Sequence, residues 1–166
     1  METQELRDLQ KPLKDRYTED PESAVVTLKA DGELDSDDVS CSVQTGKALV
    51  EAGLHPASGG DGSLACSGDM LLQALVACAG VTLRSVAVNR GIEVTGGRVL
   101  AEGDLDFRGT MAVGKEAPVG FRDVRLRFEL DSPASAEEID ALLESTERYC
   151  VVYQCLVNAL SVEVSH

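Results

Sequence analysis

One segment constrains the fold of this chain more than any other: SGDMLLQALVACAGVTLRSVAVNR, residues 67–90. Apolar side chains occupy most sides of an α-helix drawn through it, which is typical of a buried central helix. In a chain this small, burying it suggests a sheet on one side and a second helix or subunit on the other. Ser67 or Asp69 can cap its start, and Gly91 can stop it. Cys78 lies near its middle, and its role there is the main functional question.

Charge and hydropathy limit the partners that we expect. The 166 residues carry a formal net charge of -14, and so acidic a surface repels nucleic acid and anionic membranes. The apolar run Met70–Leu83 is shorter than the ~20 residues that a bilayer needs, and Arg84 follows it. The first 17 residues are charged and lack the apolar centre of a secretory signal. We therefore expect a cytoplasmic protein that binds neither nucleic acid nor membrane.

The segments around the central helix predict strands and a second helix. Leucines spaced over residues 3–17 predict a short amphipathic helix that Pro12 interrupts, so we assign residues 1–23 to a helical arm and 24–166 to the main domain. The arm could pack on the body or on a partner subunit. Alternating or β-branched residues predict five strands: AVVTLKADG with a turn at Asp31-Gly32, DVSCSVQTG, KALVEAG, and strands within residues 92–109 and 120–132.

A second helix is predicted from Ser135, which forms a capping box with Glu138. It continues or restarts near Cys150, and SVEVSH is a short final strand or tail. The order β-β-β-α-β-β-α-β indicates an α+β fold.

The five cysteines are expected to be free thiols: Cys41, Cys66, Cys78, Cys150 and Cys155. Their number is odd, no export signal precedes them, and no CxxC pair or histidine cluster suggests a metal site. Cys78 and Cys150 lie on two predicted buried helices and could meet where these pack. Buried cysteine is often only a small apolar residue, and we assign that role to Cys41 and Cys155. Cys66 is a candidate third participant.

Two neighbouring thiols permit a redox cycle without metal or cofactor. A peroxide oxidises a thiolate to a sulfenic acid, the second thiol condenses with it to a disulfide, and an external dithiol reduces the disulfide. A positive neighbour or a helix N-terminus favours the thiolate that starts this cycle.

Three stretches resemble the OsmC/Ohr family of osmotically induced and organic-hydroperoxide-resistance proteins: GGDGSLACSGDMLLQALVACAGVTL, PVGFRDVRLRFEL and SAEEIDALLESTERYCVV. The resemblance runs from about Ala24 to the C-terminus. It implies an intertwined homodimer in which two long central helices pack on antiparallel sheets. It also implies thiol-dependent reduction of organic hydroperoxides or hydrogen peroxide at the subunit interface. By position, Cys78 resembles the peroxidatic cysteine and Cys150 the resolving one.

The chain departs from the family pattern at the start of the central helix. The peroxidases carry Asn-Pro-Glu or a similar run there, and their glutamate aligns with Gly68, so Asp69 is the nearest carboxylate. Their activating arginine has no clear counterpart. Lys29 and Arg16 are the candidates, whereas Arg84 points away from Cys78 on an ideal helix.

A second departure follows the later cysteine, where the family's Cys-Pro pair is Cys150-Val151. Without the proline we expect the helix to run straight through. These departures keep an alternative open: a non-catalytic stress-response protein of the same fold, or one that binds a small apolar ligand.

Overall fold

The computed structural model describes residues 3–34, 41–43 and 52–165, with the side chains of residues 3–7, 9, 28–34 and 41–43 outside the description. Most of the predicted strand KALVEAG also lies outside the described residues. Its described residue Ala52 pairs with Ala65 in an isolated parallel bridge.

Five helices and four strands make up the described chain, which confirms the α+β class. The helices are α1 (Thr3–Glu19), α2 (Ser67–Arg90), α3 (Phe107–Thr110), α4 (Ala136–Tyr149) and α5 (Val151–Val157). Short 3₁₀ helices cover Pro21–Ala24 and Pro56–Ser58. The strands are β1 (Val25–Leu34), β2 (Cys41–Val43), β3 (Gly96–Asp106) and β4 (Phe121–Asp131). They form one sheet in the order β2-β1-β3-β4.

Strand β1 is longer than predicted. The predicted turn at Asp31-Gly32 is wrong, because the strand continues to Leu34 and pairs antiparallel with β2, with Gly32 opposite Val43. Ladder hydrogen bonds to a neighbouring strand outweigh the local turn preference of this dipeptide. At the other end of the chain, residues 158–165 form a tail without strand pairing among the described residues.

The described residues fall into two compact units. The first spans residues 1–30, 45–72 and 101–126, and the second spans 31–44, 73–100 and 127–166. In the first unit, α1 runs unbroken through Pro12 and packs against both 3₁₀ helices and α3. Tyr17 is fully buried there, and its hydroxyl donates to the Ala57 carbonyl over 2.6 Å. In this structure the N-terminal helix therefore packs on its own chain.

In the second unit, the predicted helix ends are confirmed. Helix α2 stops where Gly91 adopts a φ of 68°, and the Ile92 N–H donates to the Ala87 carbonyl, which closes the last turn. Helix α4 begins with the predicted capping box, in which Ser135 and Glu138 exchange hydrogen bonds of 2.9 and 3.3 Å. Fully buried residues in this unit lie on both helices: Leu75, Val76, Ala79, Leu83 and Ala87 on α2, and Leu142 on α4.

Helix α2 corrects one argument made from the sequence. It has 24 residues, and an 18-residue window within it has a mean hydropathy of 1.8, so it is long and apolar enough to cross a bilayer. The sequence-based estimate of the apolar length used only Met70–Leu83, whereas the helix extends beyond that run at both ends. A buried core helix meets the same criterion, and 44% of its most apolar window is buried inside this chain. The expectation that the protein does not bind membranes stays a prediction.

The sheet of the first unit contains an ion pair that makes stability depend on pH. Arg125 and Thr27 each donate a 2.6 Å hydrogen bond to Asp104, and these bonds lower the pKa of that carboxyl to about 2. An unfolded aspartate titrates near ~3.9. Because the folded pKa is depressed, the stabilisation is complete above about pH 4 and is lost as the pH falls through about 2.

We therefore expect Asp104→Asn to lower the free energy of unfolding at neutral pH, by a small amount since the pair is partly exposed. The difference from the wild type should shrink between about pH 4 and pH 2 and vanish below that range. Urea unfolding at several pH values measures it, with Asp123→Asn, an exposed change on β4, as the control. A difference that stays constant with pH would contradict this assignment.

Candidate active site

The second unit brings Cys78 and Cys150 into direct contact. Cys78 is half-buried on α2, and Cys150 is buried at 1% exposure between α4 and α5. Their side chains are joined by a hydrogen bond. The meeting of these two thiols, which the sequence analysis expected, is therefore present in the structure.

Cys150 occupies a break between two helices. Its φ and ψ of -73° and 109° are extended, so α4 ends at Tyr149 and α5 begins at Val151. Its sulfur accepts the Tyr153 N–H at 3.5 Å and caps α5. The expectation that the helix runs straight through without a proline was wrong. A side-chain cap satisfies the free N–H groups of a new helix, so the break needs no proline.

Among the described residues, four groups donate to the Cys78 sulfur. Burial raises the pKa of this thiol, but hydrogen bonds from the Val152 N–H, the Cys150 thiol, the Val151 N–H and the Thr82 hydroxyl outweigh it. The net pKa lies below the ordinary value for cysteine. Two of these donors are backbone N–H groups in the first turn of α5, where unpaired N–H groups favour negative charge. Cys78 is thus the thiol of the pair that ionises first.

Cys150 is shifted in the opposite direction. Burial, together with its hydrogen bond and charge interaction with Cys78, raises its pKa to about 11, although the Tyr153 N–H opposes the rise. Cys78 therefore ionises more readily than Cys150, which stays protonated at neutral pH and can donate to the Cys78 sulfur. This arrangement supplies one nucleophilic thiol and one protonated thiol that can react in a later step.

Replacing Val151 by proline tests the backbone donors. Cys150 already has the extended conformation that proline requires before it, and proline suits the first position of a helix. The change removes one N–H from the thiolate, so the pKa of Cys78 should rise. Alkylation of Cys78 by iodoacetamide at neutral pH should slow by up to about tenfold, since a hydrogen bond to a charged group contributes that much. Val164→Pro, at a residue that is 94% exposed, is the control. Unchanged alkylation in Val151→Pro would contradict the geometry.

A cavity of about 560 Å³ is lined by residues of α2 and α4, and neither Cys78 nor Cys150 is among its lining residues. Thr82, one helical turn after Cys78, donates to the sulfur and also lines the cavity. Beyond it the walls combine apolar and polar side chains: Val81, Ser85, Val86, Asn89, Arg90, Ser145 and Tyr149. A small molecule in this cavity would contact Thr82, which also donates to the Cys78 sulfur.

The structure does not place Asp69 at the thiol pair. Asp69 precedes Cys78 by nine residues on α2, which puts it about 13 Å along the axis and on the opposite side of an ideal helix. Burial raises the pKa of Asp69, and the nearby His55 lowers it. Its role as a supporting carboxylate, inferred from its position next to that of the missing glutamate, stays a prediction.

The basic candidates have other described contacts. The Arg16 guanidinium lies 5.1 Å from the centre of the Tyr17 ring and donates to the Tyr17 hydroxyl over 3.4 Å. The side chain of Lys29 lies outside the described residues. Arg84 is buried and donates to the Val94 carbonyl over 2.5 Å, in agreement with its expected direction away from Cys78.

The surroundings of the remaining cysteines differ. Cys66 lines another cavity, of about 400 Å³, together with His55 and Phe107 in the first unit. Cys155, expected as a packing residue, is exposed on α5. The side chain of Cys41 lies outside the description. Among the described residues, no three histidine, cysteine or acidic side chains are grouped to hold a metal ion, and the absence of a metal stays a prediction.

Sequence reasoning missed the donors on Cys78. Thr82 follows Cys78 by four residues, a spacing that places both on one face of a helix, so its contact was detectable. The Val151 and Val152 N–H groups are available to Cys78 because a new helix begins after Cys150. No turn-forming residue in the sequence indicates this break.

Comparison with known proteins decides the family. The family model described as OsmC-like protein matches residues 60–165. The chain belongs to the OsmC-like family. An OsmC-like hydroperoxide resistance protein from Jannaschia sp. CCS1 superposes with a TM-score of 0.59 at 19% identity, covering 84% of this chain and 91% of that one. An OsmC-like protein from Mycoplasma pneumoniae gives a TM-score of 0.56 at 18% identity, with coverage of 80% and 85%. These similarities show a shared fold. A search of curated proteins returned no match.

Proposed function

We propose that this OsmC-like protein is a thiol-dependent peroxidase that reduces organic hydroperoxides or hydrogen peroxide. Cys78 is the peroxidatic cysteine and Cys150 the resolving cysteine. The observation that carries the proposal is the hydrogen bond between the two thiols combined with their opposite pKa shifts. The hydroperoxide resistance named for the Jannaschia protein agrees with this chemistry.

The cycle begins with the Cys78 thiolate, whose lone pair attacks the distal oxygen of the peroxide. The O–O bond breaks, the alkoxide leaves with the electron pair and takes a proton from water, and Cys78 becomes a sulfenic acid. Cys150 then attacks the Cys78 sulfur, and the S–O bond breaks. The hydroxyl leaves as water with the proton of the Cys150 thiol, and a disulfide remains.

An external dithiol completes the cycle by reducing this disulfide to two thiols while it is oxidised itself. It attacks Cys78, because Cys78 is half-buried whereas Cys150 is buried. The cavity receives the organic part of the peroxide, with Val81, Val86 and Tyr149 as apolar contacts. None of these steps uses a metal or a cofactor.

We also propose that the protein acts as a cytoplasmic homodimer. Many large apolar side chains are more than half exposed on a single chain, and a second copy would bury them. They are Val88, Val119, Tyr149, Val151, Val157, Leu160, Val162 and Val164. The acidic composition favours small-molecule substrates over nucleic acid or membrane surfaces.

The proposal is tested by measuring the loss of cumene hydroperoxide in the presence of dithiothreitol. The wild type should consume the peroxide far faster than free cysteine at the same thiol concentration. The alternative, a protein that only binds an apolar ligand in its cavity, predicts loss no faster than free cysteine. That outcome would overturn the peroxidase assignment.

A further inference from the structure

The proposed cycle assigns no role to Thr82, although this residue lies next to Cys78. It lies one turn after Cys78 on α2, its side chain is half-buried, and its hydroxyl donates to the Cys78 sulfur. The same residue lines the 560 Å³ cavity, whereas the other donors, Val151, Val152 and Cys150, are not part of the cavity wall. Of these four donors, Thr82 is therefore the one that connects the Cys78 sulfur with the cavity.

We propose that Thr82 is a catalytic residue whose hydroxyl holds the Cys78 thiolate and then transfers its hydrogen bond to the oxygen that leaves the peroxide. This inference rests on the proposed peroxidase function. As the sulfur lone pair forms the S–O bond, negative charge moves from sulfur to the proximal oxygen while the O–O bond breaks. A hydroxyl that can rotate between these two acceptors stabilises the charge at both ends of the step. Thr82 keeps its proton, and the alkoxide takes one from water.

The chemical character of the donors supports this role. Within the described part of the chain, the groups that donate to Cys78 are two backbone N–H groups, a thiol and a hydroxyl, and none of these carries a formal charge. The backbone donors are fixed by α5 and the Cys150 thiol is needed for the later disulfide. Of these donors, the Thr82 hydroxyl is the one that both rotates about a side-chain bond and belongs to a residue lining the cavity.

Thr82→Val, which keeps the shape and removes the hydroxyl, tests the inference, with Thr82→Ser as the variant that keeps it. Two rates are measured against pH: alkylation of Cys78 by iodoacetamide, and oxidation of Cys78 by one equivalent of cumene hydroperoxide. In Thr82→Val the alkylation profile should move to higher pH. The oxidation rate, corrected for the smaller fraction of thiolate, should also fall by about tenfold. This is the effect expected from one missing hydrogen bond to a developing charge. Thr82→Ser should restore both rates.

Thr18→Val is the matched control, because Thr18 is a helical threonine on α1 whose hydroxyl donates to the Lys14 carbonyl. Circular dichroism of each variant checks the fold. The inference is overturned if Thr82→Val reacts like the wild type in both assays, or if its oxidation rate per thiolate is unchanged. It is also overturned if serine fails to restore the rates in a folded protein. If the wild type itself does not react with the peroxide, the proposed function fails, a result that these variants cannot imitate.

Discussion

Cys78→Ser is expected to reduce hydroperoxide consumption to the background rate of the dithiol alone, a loss of at least about a thousandfold, as is usual when the nucleophile of a covalent mechanism is removed. A serine hydroxyl in this place cannot ionise near neutral pH, and the donors of α5 lower the pKa of a sulfur without making an alkoxide accessible. Serine is close in size to cysteine, so the half-buried position on α2 should tolerate it. The measurement is the initial rate of cumene hydroperoxide loss with dithiothreitol.

The control for this change is Cys155→Ser, since Cys155 is exposed on α5 and is not part of the thiol pair. It should consume peroxide at the wild-type rate. If Cys78→Ser retains activity and Cys155→Ser loses it, the exposed thiol is the nucleophile and the proposed site is wrong.

Cys150→Ser is expected to separate the two halves of the cycle. The serine hydroxyl can still donate to the Cys78 sulfur, so the first oxidation should proceed at nearly the wild-type rate. The resulting sulfenic acid then has no neighbouring thiol and should accumulate. Turnover at limiting dithiol should fall by at least about a hundredfold, because a neighbouring group acts at an effective concentration far above that of a dilute reagent.

Dimedone, which labels sulfenic acids, measures this accumulation. Mass spectrometry should find the label on Cys78 in Cys150→Ser after one equivalent of peroxide, and little label in the wild type. Cys66→Ser serves as the control, because Cys66 lies in the first unit and lines a different cavity. A Cys150→Ser protein that turns over normally without a dimedone adduct would remove Cys150 from the mechanism.

The sequence predicts the regular elements well where local signals and burial agree. Helix α2 has an apolar surface, a polar start and Gly91 at its end, and it runs over the expected residues. Strand β4 alternates as predicted, with Val124, Leu126 and Phe128 less exposed than the charged residues between them. The contact of Cys78 with Cys150 was also predictable, because two buried helices of a small domain have few ways to pack.

The features that could not be predicted depend on contacts distant in sequence. The Asp31-Gly32 pair is a turn signal by itself, but the ladder with β2 keeps it extended. The helix break at Cys150 is stabilised by a sulfur cap, which is a rare capping group and gives no composition signal.

The proposed peroxidase cycle depends most on Cys78 and Cys150 forming one redox pair. The direct measurement is a peptide mass map of the reduced protein after one equivalent of cumene hydroperoxide, with free thiols blocked before digestion. The proposed cycle predicts that the peptides containing Cys78 and Cys150 are joined by a disulfide within the same chain. The thiols of Cys41, Cys66 and Cys155 should all carry the blocking reagent. Recovery of Cys150 as a blocked thiol while Cys78 is bridged to another cysteine, or is not oxidised at all, would contradict it.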